Sequence, residues 1–525
     1  MREKKVERLF VWFGRFMLFA AIVLNAWCTY KYHYNFINSD DGAELILSHM
    51  LAQEGGILSK NWHYSTELEI LNTQLVYAML FRFTDDFLTV RILGQIILTC
   101  LFLASYYFCL HSIDDKKAGG RFWKTAFLML LPISGEWHFL IMKAYYIPFV
   151  GISFLSLGFA CQMQNENMSR RKRTLVFVLG CVLAFSGCLE GMRHIQLTYI
   201  PLVLSSFWTL WNAAEKAGWK WEKFHTPRGL ISNSCWLLSA GAGCVVNFLV
   251  LSDKYYFRSH DDVKFMETVT FESVQNVWNA LLQVMGYRGE QEFLSVGGVC
   301  DALAVVSACF LLYYIVRMFI CAGRYDSIEQ LIVSFVGTSF ALGAFIYIML
   351  GTVEPRWVLS CTVPAILLLL FLDKGSGFQQ FVIMGGIYGI VFLFGAMGYY
   401  ELKTDTSNED KRNVYEFVLT HDYDYGYCTM WVGDWLTEMT NGNFHTRSVR
   451  GDYENGKLKI WHWLTPIQVE YREEPILCIL EKRRVEDLPI PQEWPVLMED
   501  DAYIIYEIED HKAVETYFES RTGQF

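Results

Sequence analysis

Two adjacent carboxylates, Asp40 and Asp41, stand ten residues beyond a long apolar segment, Leu9–Tyr30. An acid pair there suits proton transfer: one carboxylate stays ionised as a base for an acceptor hydroxyl, while the other binds a cation or the acceptor. It equally suits a helix N-cap, because Asp is favoured ahead of a periodic apolar run such as Ala43–Leu51. Trp62 and His63 follow in the same loop and are candidates to contact the substrate. Three later segments carry groups of the same kind: Glu136, Trp137 and His138 with Lys143, Tyr145 and Tyr146; Glu190 with Arg193 and His194; and Glu354 with Arg356 and Trp357. Arginine or lysine clamps a phosphate, aromatic rings stack on a sugar, and a carboxylate deprotonates an incoming hydroxyl. Taken singly, Glu190/Arg193 and Glu354/Arg356 also read as interfacial ion pairs. Ionisable groups recurring at one membrane face point instead to a polar cavity. The set suits displacement at an anomeric carbon with a lipid phosphate leaving, since no nucleotide sugar is at hand outside a cell.

These residues need apolar helices to position them. Leu9–Tyr30 is long enough to cross a bilayer, follows the basic residues Arg2, Lys4, Lys5 and Arg8, and lacks a good cleavage site near Ala26, so it reads as an anchor. Further windows fall near 91–110, 122–140, 144–162, 174–189, 195–211, 229–251, 296–320, 331–351, 357–371 and 381–400, giving about eleven spans. With the N-terminus in the cytoplasm, the inner loops hold the clustered cations: Lys116, Lys117, Arg121 and Lys124, then Arg170, Arg171, Lys172 and Arg173, then Lys216, Lys220, Lys223 and Arg228, then Arg317 and Arg324. The candidate site residues then share the outer face. The first outer loop, 31–90, is expected to lay amphipathic helices on the membrane with their apolar faces down.

An odd span count places residues 401–525 outside the cytoplasm. That tail holds 26 acids and 13 bases, so the overall net charge of −11 comes from it and residues 1–400 are near +2. Its apolar and aromatic runs indicate a folded domain. Ile476–Leu480 and Tyr503–Tyr506 read as strands, Asn413–Leu419 and Ala513–Phe518 as helices, and together they describe a small α/β domain. Trp431, Trp435, Trp461 and Trp463 are there to bind an acceptor or to fill the core. Cys428 and Cys478 are the tail's only cysteines and could pair in an oxidising compartment. No nucleotide-binding glycine loop, zinc-type Cys/His spacing or repeat is present, and the basic clusters are topology determinants, which argues against nucleic acid as a partner. No glycosylation sequon lies in an outer segment, as in a bacterial protein.

An N-terminal span, an acidic pair in a long first outer loop, the element Glu354-Pro355-Arg356-Trp357 with Pro364 in the next span, and an aromatic-rich external tail together resemble the GT-C superfamily of integral membrane glycosyltransferases, in its bacterial form. The resemblance implies a polytopic α-helical membrane domain over 1–400 followed by the extracytoplasmic domain 401–525. It implies transfer of a sugar from a polyprenyl-phosphate carrier to an envelope glycan, lipid or protein, usually with inversion. Asp40 or Asp41 would be the base and Arg356 would meet the lipid phosphate. Some members use a divalent cation and others do not, so the resemblance leaves the metal open. A flippase or transporter for a lipid-linked glycan, or a non-catalytic membrane scaffold, remains the alternative.

Overall fold

The computed structural model describes residues 2–216, 218, 228–257, 265–289, 292, 294–374, 377–467, 475–488, 490–491 and 493–509. Ala513–Phe518, expected to be helical, and the inner-loop cations Lys220 and Lys223 lie outside them. Among the described residues, eight helices are long and apolar enough to cross a membrane: Glu7–Phe36, Phe87–Ile113, Ile147–Gln164, Gly229–Leu251, Val296–Ile320, Ser327–Leu350, Pro355–Leu372 and Phe381–Thr420. Three of the eleven expected windows do not add to them. Window 122–140 breaks into a helix Asp115–Thr125, a tight turn Ala126–Met129 and short pieces Gly135–Trp137 and His138–Ile141. Pro132 has no N–H to continue a helix, and Gly135 follows it. Windows 174–189 and 195–211 do form helices, Arg170–Cys188 and Ile200–Lys216, the second entered through a π-turn at Ile195–Tyr199. The first spends its opening turn on Arg170–Arg173 and the second has 17 residues, so each falls short of an apolar span of about 18 residues or more.

The chain divides into two compact units, one made of Met1–Trp27, Gln95–Val250 and His260–Glu401, the other of Cys28–Gly94, Leu251–Ser259 and Leu402–Phe525. In the first, helices turn large apolar side chains outward, among them Leu9, Trp12, Phe16 and Phe19 on the N-terminal helix. Lipid is the solvent that makes such exposure favourable. Helix Ser327–Leu350 opens with a capping box between Asp326 and Glu329 and stops at Gly351, φ +71°, releasing the segment that carries Glu354 and Arg356.

The second unit is built on strands β1 (Trp62–His63), β2 (Tyr425–Thr429), β3 (His445–Asp452), β4 (Lys457–Ile460), β5 (Thr465–Pro466), β6 (Ile476–Glu481), β7 (Val496–Glu499) and β8 (Tyr503–Ile508). Six form one sheet in the order β4-β3-β2-β6-β8-β7, with β2 parallel to β3 and β6 and the other pairs antiparallel. The helix Met430–Met439 supplies the crossover that parallel β2 and β3 require. The strands expected at 476–480 and 503–506 and the helix at 413–419 are all present, as β6, β8 and Arg412–Thr420. Tyr425, Tyr427, Val449, Leu458, Ile476, Cys478, Leu480, Val485 and Ile508 make the core on one face of the sheet. Cys428 and Cys478 sit on neighbouring strands as free, buried thiols, so they act as small apolar residues and form no disulfide.

The loop 31–90 behaves differently from the membrane-surface helices expected of it. Its helix Ser39–Glu54 packs against Met430–Met439 and against Gln74–Phe81, and Ala43, Leu45, Leu47 and Leu51 are 0–1% exposed beneath them. The apolar face is covered by protein, not lipid, at about 1.5–3 kcal/mol for each buried leucine. The crossing is tight at Gly42, where a Cβ would lie 2.3 Å from the Asp434 carbonyl oxygen, so only glycine allows the two helices this close.

Candidate functional site

The membrane unit brings together three segments far apart in sequence. After the break at Pro132 the chain turns through Ala144, which takes φ +59°, a conformation side chains other than glycine rarely adopt. This turn holds Lys143, 4% exposed, with its Nζ 4.4 Å from the centre of the Phe139 ring. The Arg356 guanidinium reaches the same ring at 4.7 Å. Half-buried Glu136 accepts a hydrogen bond from the Arg356 backbone N–H; burial pushes its carboxyl up, and Arg356 and then Lys143 oppose that, with Glu354 adding to it. Among the described residues Arg356 forms no ion pair, so the Glu354/Arg356 pair open from the sequence is not made. Lys143 and Arg356 thus both approach the Phe139 ring, with the Glu136 carboxyl beside them.

The second segment joins through aromatic contacts. Tyr145 and Tyr146 meet edge to face at 5.3 Å and both pack tilted on Phe149 at 5.9 and 6.0 Å, the Arg193 guanidinium lies 4.4 Å from the Phe149 ring, and the His194 ring lies 5.2 Å from it. Glu190 and His194 are buried. Tyr347 donates to the Trp357 carbonyl at 3.1 Å and packs on its ring, tying down the segment that carries Arg356. His138 is buried, and burial together with Lys143 holds its imidazole neutral, down at about 3.

Asp40 and Asp41 lie in the other unit and have different environments. Asn38 caps the Ser39–Glu54 helix: its Oδ1 accepts from the Asp41 N–H at 3.1 Å, and the Asp41 carboxylate accepts from the Asn38 N–H at 2.9 Å. Asp41 is therefore buried and committed to the cap. Asp40, one residue earlier, is only half-buried. Glu44 is one turn further along the same face; burial pushes its carboxyl well above the usual range, and the charge of Glu69 adds to this. Arg91 binds Glu438 through two contacts, Nε–Oε1 at 2.5 Å and Nη2–Oε2 at 2.7 Å, and Nη2 also donates to the Asp41 carbonyl at 2.8 Å. Trp62 was expected to contact substrate but is fully buried in β1, which pairs with β5. Trp435 is likewise core, whereas Trp431, Trp461 and Trp463 are half-buried.

Glu44, Arg91, Asp434 and Glu438 were not singled out from the sequence. Two signals were available: Asp40 and Glu44 are four apart on one helix, and Arg91 is a charge at the edge of an apolar span, where charges are costly. Asp434 is 1% exposed with both carboxyl oxygens lacking a hydrogen-bond partner among the described residues. Burial, and then the neighbouring charge of Asp40, push its carboxyl well above the ordinary aspartate range. The folded state therefore holds a proton that the unfolded chain releases, and stability from this site falls as pH rises above the unfolded value near 3.8. Asp434→Asn is expected to raise Tm at pH 8 by several degrees and to lose that advantage progressively toward pH 4, measured by thermal unfolding across that range.

Among the described residues, no three His, Cys, Asp or Glu side chains are arranged to hold a metal ion. No family model and no curated protein matches the sequence. Among solved structures the chain is similar to ArnT from Cupriavidus metallidurans bound to undecaprenyl phosphate, at 13% identity over 94% of this chain and 97% of that one with a TM-score of 0.48, and to the same enzyme in the apo state, at 13% identity, 94% and 98% coverage and a TM-score of 0.47. It is also similar to the Archaeoglobus fulgidus oligosaccharyltransferase in complex with Zn and sulfate, at 12% identity, 81% and 62% coverage and a TM-score of 0.40.

Proposed function

We propose that this chain is a membrane glycosyltransferase that moves a sugar from a polyprenyl-phosphate carrier to a cell-envelope glycan, lipid or protein on the extracytoplasmic face. The observation that carries this reading is the pair of cations at Phe139: Lys143 buried, Arg356 without an ion pair among the described residues, and Glu136 beside them. Such a pair suits a phosphate that gains charge as it leaves. Asp40 is the base, because Asp41 is used by the helix cap.

In the step proposed, Asp40 takes the proton of an acceptor hydroxyl as that oxygen forms a bond to the anomeric carbon. The bond from that carbon to the lipid phosphate breaks, and its electron pair goes to the phosphate oxygen, where Arg356 and Lys143 balance the new charge. Tyr145 and Trp357 are the rings proposed for a sugar face, with the buried Tyr146 ring packed behind Tyr145, and Glu190, Arg193 and His194 are the polar groups beside them.

The direct test is purified protein in lipid, given a panel of polyprenyl-phosphate sugars and an envelope acceptor fraction. Transfer by the wild type and not by Asp40→Asn supports the proposal; no transfer with any donor, together with movement of sugar-lipid across vesicles, replaces it with a flippase. Arg356→Ala is expected to lower kcat/KM for the donor by about 10²-fold, the loss of one charged, forked contact, and Arg356→Lys to lose less because charge remains. Undiminished transfer in both variants would remove Arg356 from the phosphate.

A further inference from the structure

The second unit contains a basic cluster that glycosyl transfer does not use. It lies where β1 of the first loop pairs with β5 of the tail, next to Tyr256, whose carbonyl accepts from the Tyr64 N–H at 2.8 Å. His63 is 6% exposed, and its Nε2 lies 3.1 Å from Nδ1 of His462. Arg447 on β3 is 8% exposed, with Nε and Nη1 lacking a hydrogen-bond partner among the described residues. Arg450 on the same strand is half-buried, packs its guanidinium 5.4 Å from the Trp461 ring, and leaves its buried Nε equally unsatisfied. Among the described residues neither arginine forms an ion pair.

That is unusual for this part of the chain. The tail has twice as many acids as bases, and buried carboxylates such as Asp452 and Glu438 find cations in Lys459 and Arg91. A buried guanidinium with no counter-ion is costly, and the cost falls when a ligand supplies the charge. We propose that Arg447, Arg450, His63 and His462 form a binding site for a phosphate-type oxyanion, with Trp461 as its aromatic wall. The site binds rather than reacts, and it stands whether or not the transferase reading holds.

The histidines give the site a signature. At 3.1 Å one of these two ring nitrogens donates an N–H to the other, so each ring fixes the other's tautomer. Burial, then His462 and Arg447, hold His63 down at about 4; burial, then Arg447 and Arg450, lower His462. Tyr256 packs on the His63 ring at 5.4 Å. A bound oxyanion opposes the arginines' field, so binding draws a proton onto the pair and tightens as pH falls from 7 to 5.

The test uses full-length protein in phosphatidylcholine nanodiscs, with thermal unfolding followed against sulfate, whose charge is constant over that range, and against inorganic phosphate. The expected result is an anion-dependent rise in Tm that is larger at pH 5 than at pH 7. In Arg450→Gln and His462→Gln the midpoint anion concentration should rise about tenfold or more, the worth of one charged hydrogen bond. Arg447→Lys, which keeps the charge in case Arg447→Gln does not fold, should retain part of the effect. Nanodiscs containing phosphatidic acid separate the sources: a rise already present there without free anion assigns the site to a lipid headgroup, and a rise that still needs free anion assigns it to a soluble or glycan-borne group. A Tm response to sulfate and phosphate that is the same in wild type, Arg450→Gln and His462→Gln would be a general salt effect and would overturn the site.

Discussion

Asp40→Asn is expected to abolish sugar transfer while leaving the protein inserted and folded, with a loss of about 10²–10⁴-fold in kcat, the range for a general base. The amide keeps the shape and cannot accept the hydroxyl proton. Asp41→Asn should do the reverse. Its carboxylate accepts from the Asn38 N–H, and an asparagine there weakens the cap by about 1 kcal/mol, lowering Tm with most of the activity kept. The paired measurement, transfer rate and thermal unfolding on both variants, separates a catalytic from a structural acid. If Asp41→Asn were the inactive one and Asp40→Asn transferred normally, the assignment of the base would be reversed.

The second large effect is at Arg91. The guanidinium is fully buried, forked onto Glu438 and bonded to the Asp41 carbonyl. Arg91→Ala leaves the Glu438 carboxylate buried without its cation, and breaking such a pair costs about 3–5 kcal/mol. The loss should appear as a lower Tm and as faster hydrogen exchange over 39–54, with activity falling because the chain carrying Asp40 is no longer held. Arg91→Met with Glu438→Leu removes both charges and should restore most of the Tm. A wild-type Tm in Arg91→Ala would show that the pair contributes nothing to holding the first loop.

How much of this was legible depended on whether the signal was local. Long apolar runs declare themselves, so most spans and the strands at 476–480 and 503–506 could be read directly. The break at Pro132 was visible as a residue, but its consequence was not, since apolar composition continues across it. The three polar segments of the membrane unit could be grouped by topology, yet their shared partner, Phe139, is one phenylalanine among 39. In the first loop the apolar periodicity of 43–51 was read as one face of a helix laid on the membrane. What covers that face could not be read, because lipid and a protein helix make the same demand on side chains. Likewise Asp40 and Asp41 have the same chemistry in sequence, and only the geometry of the Asn38 cap separates them.

The tail is not an appendage that can be made by itself. Its helix Met430–Met439 completes a surface begun by residues 28–94, more than 300 positions earlier. At a synthesis rate of about 5–20 residues per second, the first loop waits roughly 15–60 s before its partner exists. During that interval Leu45, Leu47 and Leu51 have nothing to pack against and Arg91 has no carboxylate. A chain truncated near residue 400 would remain in that state, so loss of the last 125 residues should mark the whole protein for degradation rather than yield a membrane core missing a domain.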